Sequence, residues 1–177
     1  MSPRNNPLTS VPKPHLVRQC ARMADPIRLA LLAEVPQAGP VAALWLFREW
    51  GHRYPGRTPG MAIAQFGQRA NVDRMPMAWI ALHGGIPVAT ASLMEVERPG
   101  DEVGPWVGGV FVIPSYRGQG LAVRLMRTLE AAAPRLGASR LLLSAAAPAL
   151  YLGLGYAPTG ATKNGEPVME KRLHAGG

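Results

Sequence analysis

The stretch VFVIPSYRGQGLAVRLM, Val110 to Met126, runs from β-branched residues through a proline and two glycines into a leucine-rich segment. Leu121, Leu125, Leu129, Ala132 and Leu136 recur at helical spacing and predict a helix from about Gly120 to Leu136. Arg124, Arg127, Glu130 and Arg135 fall mostly on its water side, and Pro134 should loosen the last turn. A strand feeding a helix through so tight a joint demands a mixed α/β core. The joint itself has two readings. It is a bare connection, or it is shaped to hold something: a glycine turn entering a helix presents unpaired N–H groups and the positive end of the helix dipole, a site suited to phosphate. Gly118 and Gly120 would let backbone approach a bulky group, and Arg117 could add a charged contact.

At 177 residues the chain suits one domain with a proper core. No apolar run reaches the roughly 18 residues of a membrane span. A single cysteine, Cys20, and four scattered histidines argue against a disulfide framework and against a metal site. A reducing, cytoplasmic setting is the default expectation. The net charge of +8 invites a nucleic-acid partner. Half of it, however, sits in Arg4, Lys13, Arg18 and Arg22, within a proline-rich opening without hydrophobic period or the apolar centre of a secretory signal. Residues 1–24 therefore read as a flexible basic arm, and 25–177 as the folded domain, whose modest charge makes a nucleic-acid partner improbable.

From Asp25 the elements alternate. IRLALLAEV suits a strand, and GPVAALWLFREWG a helix opened at Pro40 and stopped at Gly51. RTPGMAIAQFGQRAN predicts another helix, with Thr58 as cap and Pro59 in its first turn. MAWIALHGGIPVATASLMEVE is a hairpin turning at Gly84-Gly85. A loop covers Glu97 to Gly104, PWVGGVFVI is a strand, and SRLLLSAAA is a short apolar one. PALYLGLGY gives a brief helix, and EPVMEKRL is expected to close the fold as an edge strand. The expected class is a single-domain α/β fold with a mixed, mostly antiparallel sheet of six to seven strands and about four helices.

Two familiar phosphate loops do not fit the turn. A P-loop needs Gly-Lys-Ser/Thr, and Gly120 is followed by Leu121 and Ala122. A dinucleotide fingerprint wants a small residue where Val123 stands, and an acid at the end of the next strand that LLLSAAA lacks. The stretch does resemble the acetyl-CoA signature of the GNAT superfamily of N-acetyltransferases, Arg/Gln-x-x-Gly-x-Gly/Ala, met by Arg117, Gly120 and Ala122. VFVIP looks like that family's preceding strand, and LYLGLGY is similar to its later Tyr-x-x-x-Gly-Phe/Tyr segment. The resemblance covers nearly everything after the arm.

What the resemblance implies is a division of labour. The backbone of Val110, Phe111 and Val112 would pair with the pantetheine arm of acetyl-CoA. Residues Arg117, Gly118, Gln119, Gly120, Leu121 and Ala122 would cradle the pyrophosphate, beside a slot where the sheet splays. Gly108-Gly109 suggests a bulge or close approach there, or else room for a large neighbour such as Trp106. Acetyl transfer by direct attack in a ternary complex needs a neutral amine, a stabilised oxyanion and a proton for the leaving thiolate. A backbone N–H near Val112 is the choice for the oxyanion, and Tyr151 matches the family's proton donor. At reference pKa values of about 10 and about 8.5 that transfer is only modestly uphill. No acid lies on the pantetheine strand. Glu95 is named as the base, with Glu97, Glu49 and His52 behind it. Trp50, His52, Tyr54 and Trp106 are the candidate acceptor-binding residues, with Trp45 read as core. They suit an apolar or aromatic amine or a peptide N-terminus, and no acidic cluster suits a polycation. A homodimer is left open, no metal is expected, and the rival reading is a non-catalytic acyl-CoA-binding sensor or scaffold.

Overall fold

The computed structural model describes residues 26–96 and 104–173; the basic arm and most of the loop expected from Glu97 lie outside them. Strands are β1 (Arg28–Leu31), β2 (Met77–His83), β3 (Ile86–Met94), β4 (Trp106–Val112), β5 (Arg140–Ser144), β6 (Ala157–Lys163) and β7 (Glu166–Arg172). Helices are α1 (Gly39–Trp50), α2 (Pro59–Gly67), α3 (Leu121–Ala132) and α4 (Pro148–Gly153). Local chemistry sets these limits. The Thr58 hydroxyl accepts the Met61 amide at 3.2 Å and so satisfies an orphan donor of α2, with Pro59 in the first turn. Pro134 cannot supply an amide to α3, which gives way to a 3₁₀ turn over Ala133–Leu136.

One sheet holds all seven strands in the order β1-β2-β3-β4-β5-β7-β6. Every neighbouring pair is antiparallel except β4 and β5, which run parallel and share one paired position, Trp106 with Leu142. Two expectations are corrected. The first strand is shorter than IRLALLAEV, because Leu32–Glu34 turns into a 3₁₀ segment that buries Leu32. EPVMEKRL is not the edge: β7 pairs with β5 on one side and with β6 on the other, across an Asn164-Gly165 turn. The edge is β6, exposed along nearly its whole length.

The two faces of the sheet are read directly from β2. Ala78, Ile80 and Leu82 pack with Ala42, Ala43 and Phe66 of α1 and α2, while Met77, Trp79 and Ala81 join the α3 side. Leu121, Leu125 and Leu129 of α3 are buried as their spacing predicts, and Met126 joins them fully buried. Each such side chain contributes about 1.5–3 kcal/mol. The α3 cluster spans both halves of the sheet, since it holds Leu93 and Val107 as well as Leu141 and Met169. On the opposite face Trp106, Leu142 and Val168 form a separate small cluster. The buried hydroxyls of Thr90 and Ser92 are both satisfied, by the Trp79 carbonyl and by the Arg69 guanidinium.

Candidate active site

Past the Trp106–Leu142 pair, β4 and β5 diverge, and a cleft of about 1110 Å³ opens between them. Its floor is β4. The register with β3 slips between Thr90 and Ser92, leaving Ala91 opposite both Gly109 and Val110, which is a bulge. Gly109 has φ +60°, and a Cβ there would stand 2.9 Å from Leu46 Cδ1. Gly109 thus serves both the bulge and the close approach of α1. Ile113 donates its amide to Val88 on β3 at 3.0 Å. Because strand amides alternate sides, the Val112 N–H and C=O face the other edge, into the slot. The Val112 carbonyl accepts Arg117 Nε there at 3.0 Å.

At one end of the cleft stands the turn into α3. Gly118 and Gly120 both have φ +75°, and Gly120 is the cap residue of a helix with no acid in its first turn and no side-chain hydrogen bond at its cap. The Arg124 amide is the one that returns to the Gly120 carbonyl, at 3.0 Å, so those of Leu121, Ala122 and Val123 have no acceptor within the helix. A Cβ at Gly118 or Gly120 would meet no atom within 4 Å, so the space over these amides is open. That cradle fits a phosphate group by shape and by dipole. Arg117 Cζ lies 5.8 Å from the Phe111 ring centre. Tyr116, also on the cleft, is braced by His83, whose Nδ1 is 2.6 Å from the phenol oxygen. Of the expected cofactor residues, Val110, Phe111, Val112, Arg117, Gly118, Gly120, Leu121 and Ala122 line the cleft. Gln119 does not; its amide turns back to the Ser115 carbonyl at 3.4 Å.

Tyr151 reaches the cleft from α4, 8 % exposed, with its ring edge-on to Tyr156 at 6.0 Å. Burial, and secondarily the Glu166 charge, push its phenol up to about 12. The proton transfer expected to be modestly uphill is therefore steeper than the reference values imply. Tyr156 is core, 2 % exposed, its phenol driven further up by burial and by Glu130. Glu166, which the sequence reading passed over, opens β7 against the slot. One carboxylate oxygen takes Arg53 at 2.6 Å and the other takes the Ser144 hydroxyl at 2.7 Å.

At the other end, α1, α2 and their connection supply the wall. Trp50 and Tyr54 line it as expected, Trp50 standing edge-on to Phe111 at 6.3 Å. Trp45 stacks on Phe111 at 5.8 Å from behind. Besides Gln119, three further expected residues are not brought to the cleft. His52 is exposed on the 3₁₀ turn after α1 and is not among the residues that line the cleft. Glu95 is exposed just beyond β3, where its carbonyl holds the Gly104 amide at 2.6 Å. Trp106 is buried at the β4–β5 junction under Lys163, whose Nζ is 4.4 Å from the ring centre. Arg53, Arg57 and Arg69 line the cleft and were not anticipated. Their signal is weak, since nothing in the α1–α2 connection marks which arginines turn inward.

None of the curated proteins matches the chain. Solved structures do. An aminoglycoside 6′-acetyltransferase type Ii is 16% identical, over 85% of this chain and 99% of that one, with a TM-score of 0.65. The N-acetyltransferase YhbS from Escherichia coli, solved in complex with CoA, is 19% identical over 85% and 83%, at 0.61. A GCN5-related N-acetyltransferase from Ralstonia eutropha is 22% identical over 78% and 97%, at 0.57. At such identities the likeness establishes the fold. The model of the acetyltransferase (GNAT) family matches residues 36–156, from the start of the first helical region through Tyr156. With that match over most of its length, the chain belongs to the acetyltransferase (GNAT) family and is an acyltransferase by class.

Proposed function

We propose that the protein moves the acetyl group of acetyl-CoA to a primary amine, by direct attack while both are bound. The observation that carries this is the convergence on one cleft of the outward-facing edge of bulged β4, the open amides of the α3 turn, and Tyr151. The α3 amides and Arg117 hold the pyrophosphate. The slot-facing groups of Val110 and Val112 pair with the pantetheine as a neighbouring strand would, and the Val112 N–H supports the charge that grows on the thioester oxygen. Arg117 Nε must leave the Val112 carbonyl for that pairing to complete.

The amine enters neutral. As its nitrogen bonds to the acetyl carbon and the C–S bond breaks, the sulfur takes a proton from Tyr151 and the nitrogen sheds one toward water. Tyr151, far above neutral pH in its titration, is always in the donor form. A thiolate leaving into the same buried slot beside Glu166 is raised by the same two causes, which narrows the gap to the phenol. Glu166, held by Arg53 and Ser144, sets this electrostatic environment and is not itself a mobile base. Glu95, outside the cleft, is given no role.

The test is calorimetric titration with acetyl-CoA together with thiol release across a panel of primary amines. Binding with amine-dependent thiol release is expected. Binding without release from any amine would point to a sensor or scaffold, and absence of binding would remove the cradle reading altogether.

A further inference from the structure

The turn before α3 is poorly supported by its own residues. Between Arg117 and Gly120 two glycines stand at φ +75°, and glycine is the residue with most freedom to lose on being fixed. Gln119 reaches the Ser115 carbonyl four residues back, at 3.4 Å, and the Arg117 bond to the Val112 carbonyl is the one that has to open when the pantetheine pairs. A further tie starts one residue earlier. Tyr116 ends the 3₁₀ turn Pro114–Tyr116, its ring packs against the α3 cluster, and its phenol oxygen lies 2.6 Å from His83 Nδ1. His83 is the last residue of β2, and by the alternation of that strand it falls on the same face as Trp79 and Ala81, the α3 face. In the strand order β2-β3-β4 the bond therefore steps over β3 and fastens the segment leaving β4 to a strand two places away. The rings meet edge-on, with centres 5.5 Å apart and planes at 78°. Whichever atom carries the shared proton, the bond is made, because a phenol both donates and accepts.

We propose that His83 and Tyr116 are positioning residues for the cofactor: their hydrogen bond holds the Arg117–Gly120 turn in the pose that takes the pyrophosphate. The bond serves both before the cofactor arrives and after Arg117 has released Val112. A cradle already in its binding pose spares the ligand the ordering of a glycine turn, and that saving appears as affinity. In this role neither side chain acts on the phosphate directly; Tyr116 holds the backbone next to it, and His83 holds Tyr116. The proposal rests on the acetyl-CoA reading above, and it concerns binding, not transfer.

Calorimetric titration of CoA into the parent and a short series of variants, each shown to be folded by its melting curve, isolates the bond. Tyr116→Phe keeps the ring and loses the hydroxyl; His83→Ala removes the other partner. Each should weaken CoA about 3–10-fold, the worth of one hydrogen bond. The double variant should be no weaker than either single one, because both changes remove the same bond. His83→Asn puts an amide atom close to where Nδ1 stands and should restore part of the affinity. His83→Gln carries its amide further out, toward the place of Nε2, and should not. A general loss of stability would not tell those two amides apart. CoA affinity within about twofold of the parent in both single variants, less than one hydrogen bond is worth, overturns the proposal. So do losses that add in the double variant, and so does His83→Asn binding no better than His83→Ala. A loss in Tyr116→Phe that His83→Ala does not share also overturns it, by making the hydroxyl a direct ligand of the phosphate. If the parent does not bind CoA, the cradle reading falls and this one with it. Binding that responds to the variants as expected, without thiol release from any amine, would refute transfer alone and leave the positioning pair in place.

Discussion

At the Gly118–Gly120 end of the cleft what is offered is backbone: helix amides, the outward edge of β4, and glycines that keep side chains away. At the α1–α2 end what is offered is side chains, with Trp50, Tyr54, Arg57 and Arg69 around a space their own rotamers define. The two kinds of wall fail in opposite ways. A backbone cradle is spoiled by adding atoms and is indifferent to most replacements, as the outward turn of Gln119 illustrates. A side-chain wall is spoiled by removing atoms and can be retuned one residue at a time. A cleft built this way keeps one ligand constant and leaves the other adjustable.

The largest effect should come from adding atoms to the backbone end. Gly120→Val places a branched side chain in open space over the α3 amides and forces a residue that resists it into φ +75°. Acetyl-CoA affinity should fall by about 100-fold or more, the loss expected when a branched side chain fills a phosphate cradle, in a protein whose circular dichroism is unchanged. Unaltered affinity in a folded variant would dissolve the distinction between the two ends.

Next comes Tyr151, at the boundary between them. Tyr151→Phe keeps the ring and its packing against Tyr156, so turnover should drop about 10²-fold with acetyl-CoA affinity held within a factor of about two. A turnover within about twofold of the parent, with chemistry rate-limiting, would make Tyr151 a packing residue.

Gly109→Ala sharpens the comparison at the bulge. The methyl meets Leu46, which can yield, but φ +60° remains unfavourable. A loss of about 1–2 kcal/mol in denaturant unfolding is expected. No measurable loss would mean that the bulge rearranges freely.

The pH dependence is a smaller signature. A phenol raised from 10 to about 12 stays protonated across the range in which an ordinary tyrosine ionises. Turnover should therefore show no Tyr151-dependent decline between pH 9 and about 11. The stability this group contributes is complete below pH 10 and lost as pH rises from about 10 through about 12. Subtracting the Tyr151→Phe unfolding profile from that of the parent isolates it, and a step centred well below pH 10 would contradict the burial. Smallest of all, deletion of residues 1–22 should leave affinity and melting temperature unchanged. A fall of several degrees, about 1 kcal/mol or more in a domain of this size, would show that they matter to the fold.

The backbone end was legible in advance because glycine is the one residue whose presence reports a backbone requirement. Arg117, Gly118, Gly120 and the stripe of α3 all stand where the pattern puts them. The C-terminal hairpin was legible and was missed: Asn164-Gly165 is a strong two-residue turn signal, and Asn164 and Gly165 have φ of 54° and 78°. The polar, proline- and glycine-containing run of β6 hid the strand before it, because an exposed edge shows no period-two burial. With that strand unread, β7 became an edge and Glu166 had no reason to be noticed. The acceptor wall is a different case. Whether Trp106 or Trp50, His52 or Arg53, Glu95 or Glu166 faces the cleft depends on how β4 and β5 part and on where the α1–α2 connection lands. Neither is written in local spacing.

The way the sheet parts has a consequence for control of the slot's width. The two halves share a single paired rung, and behind it lies one apolar cluster that holds Leu125 and Leu129 of α3 together with residues of both halves. On the front face the buried apolar residues described fall into two separate groups, and the link across them is a polar one, Arg53 to Glu166. The arrangement is that of a book held by its spine. A methylene removed from the spine lets the covers close or gape, so the gap presented to a thioester is tuned from the far side of the sheet, by residues that never meet it.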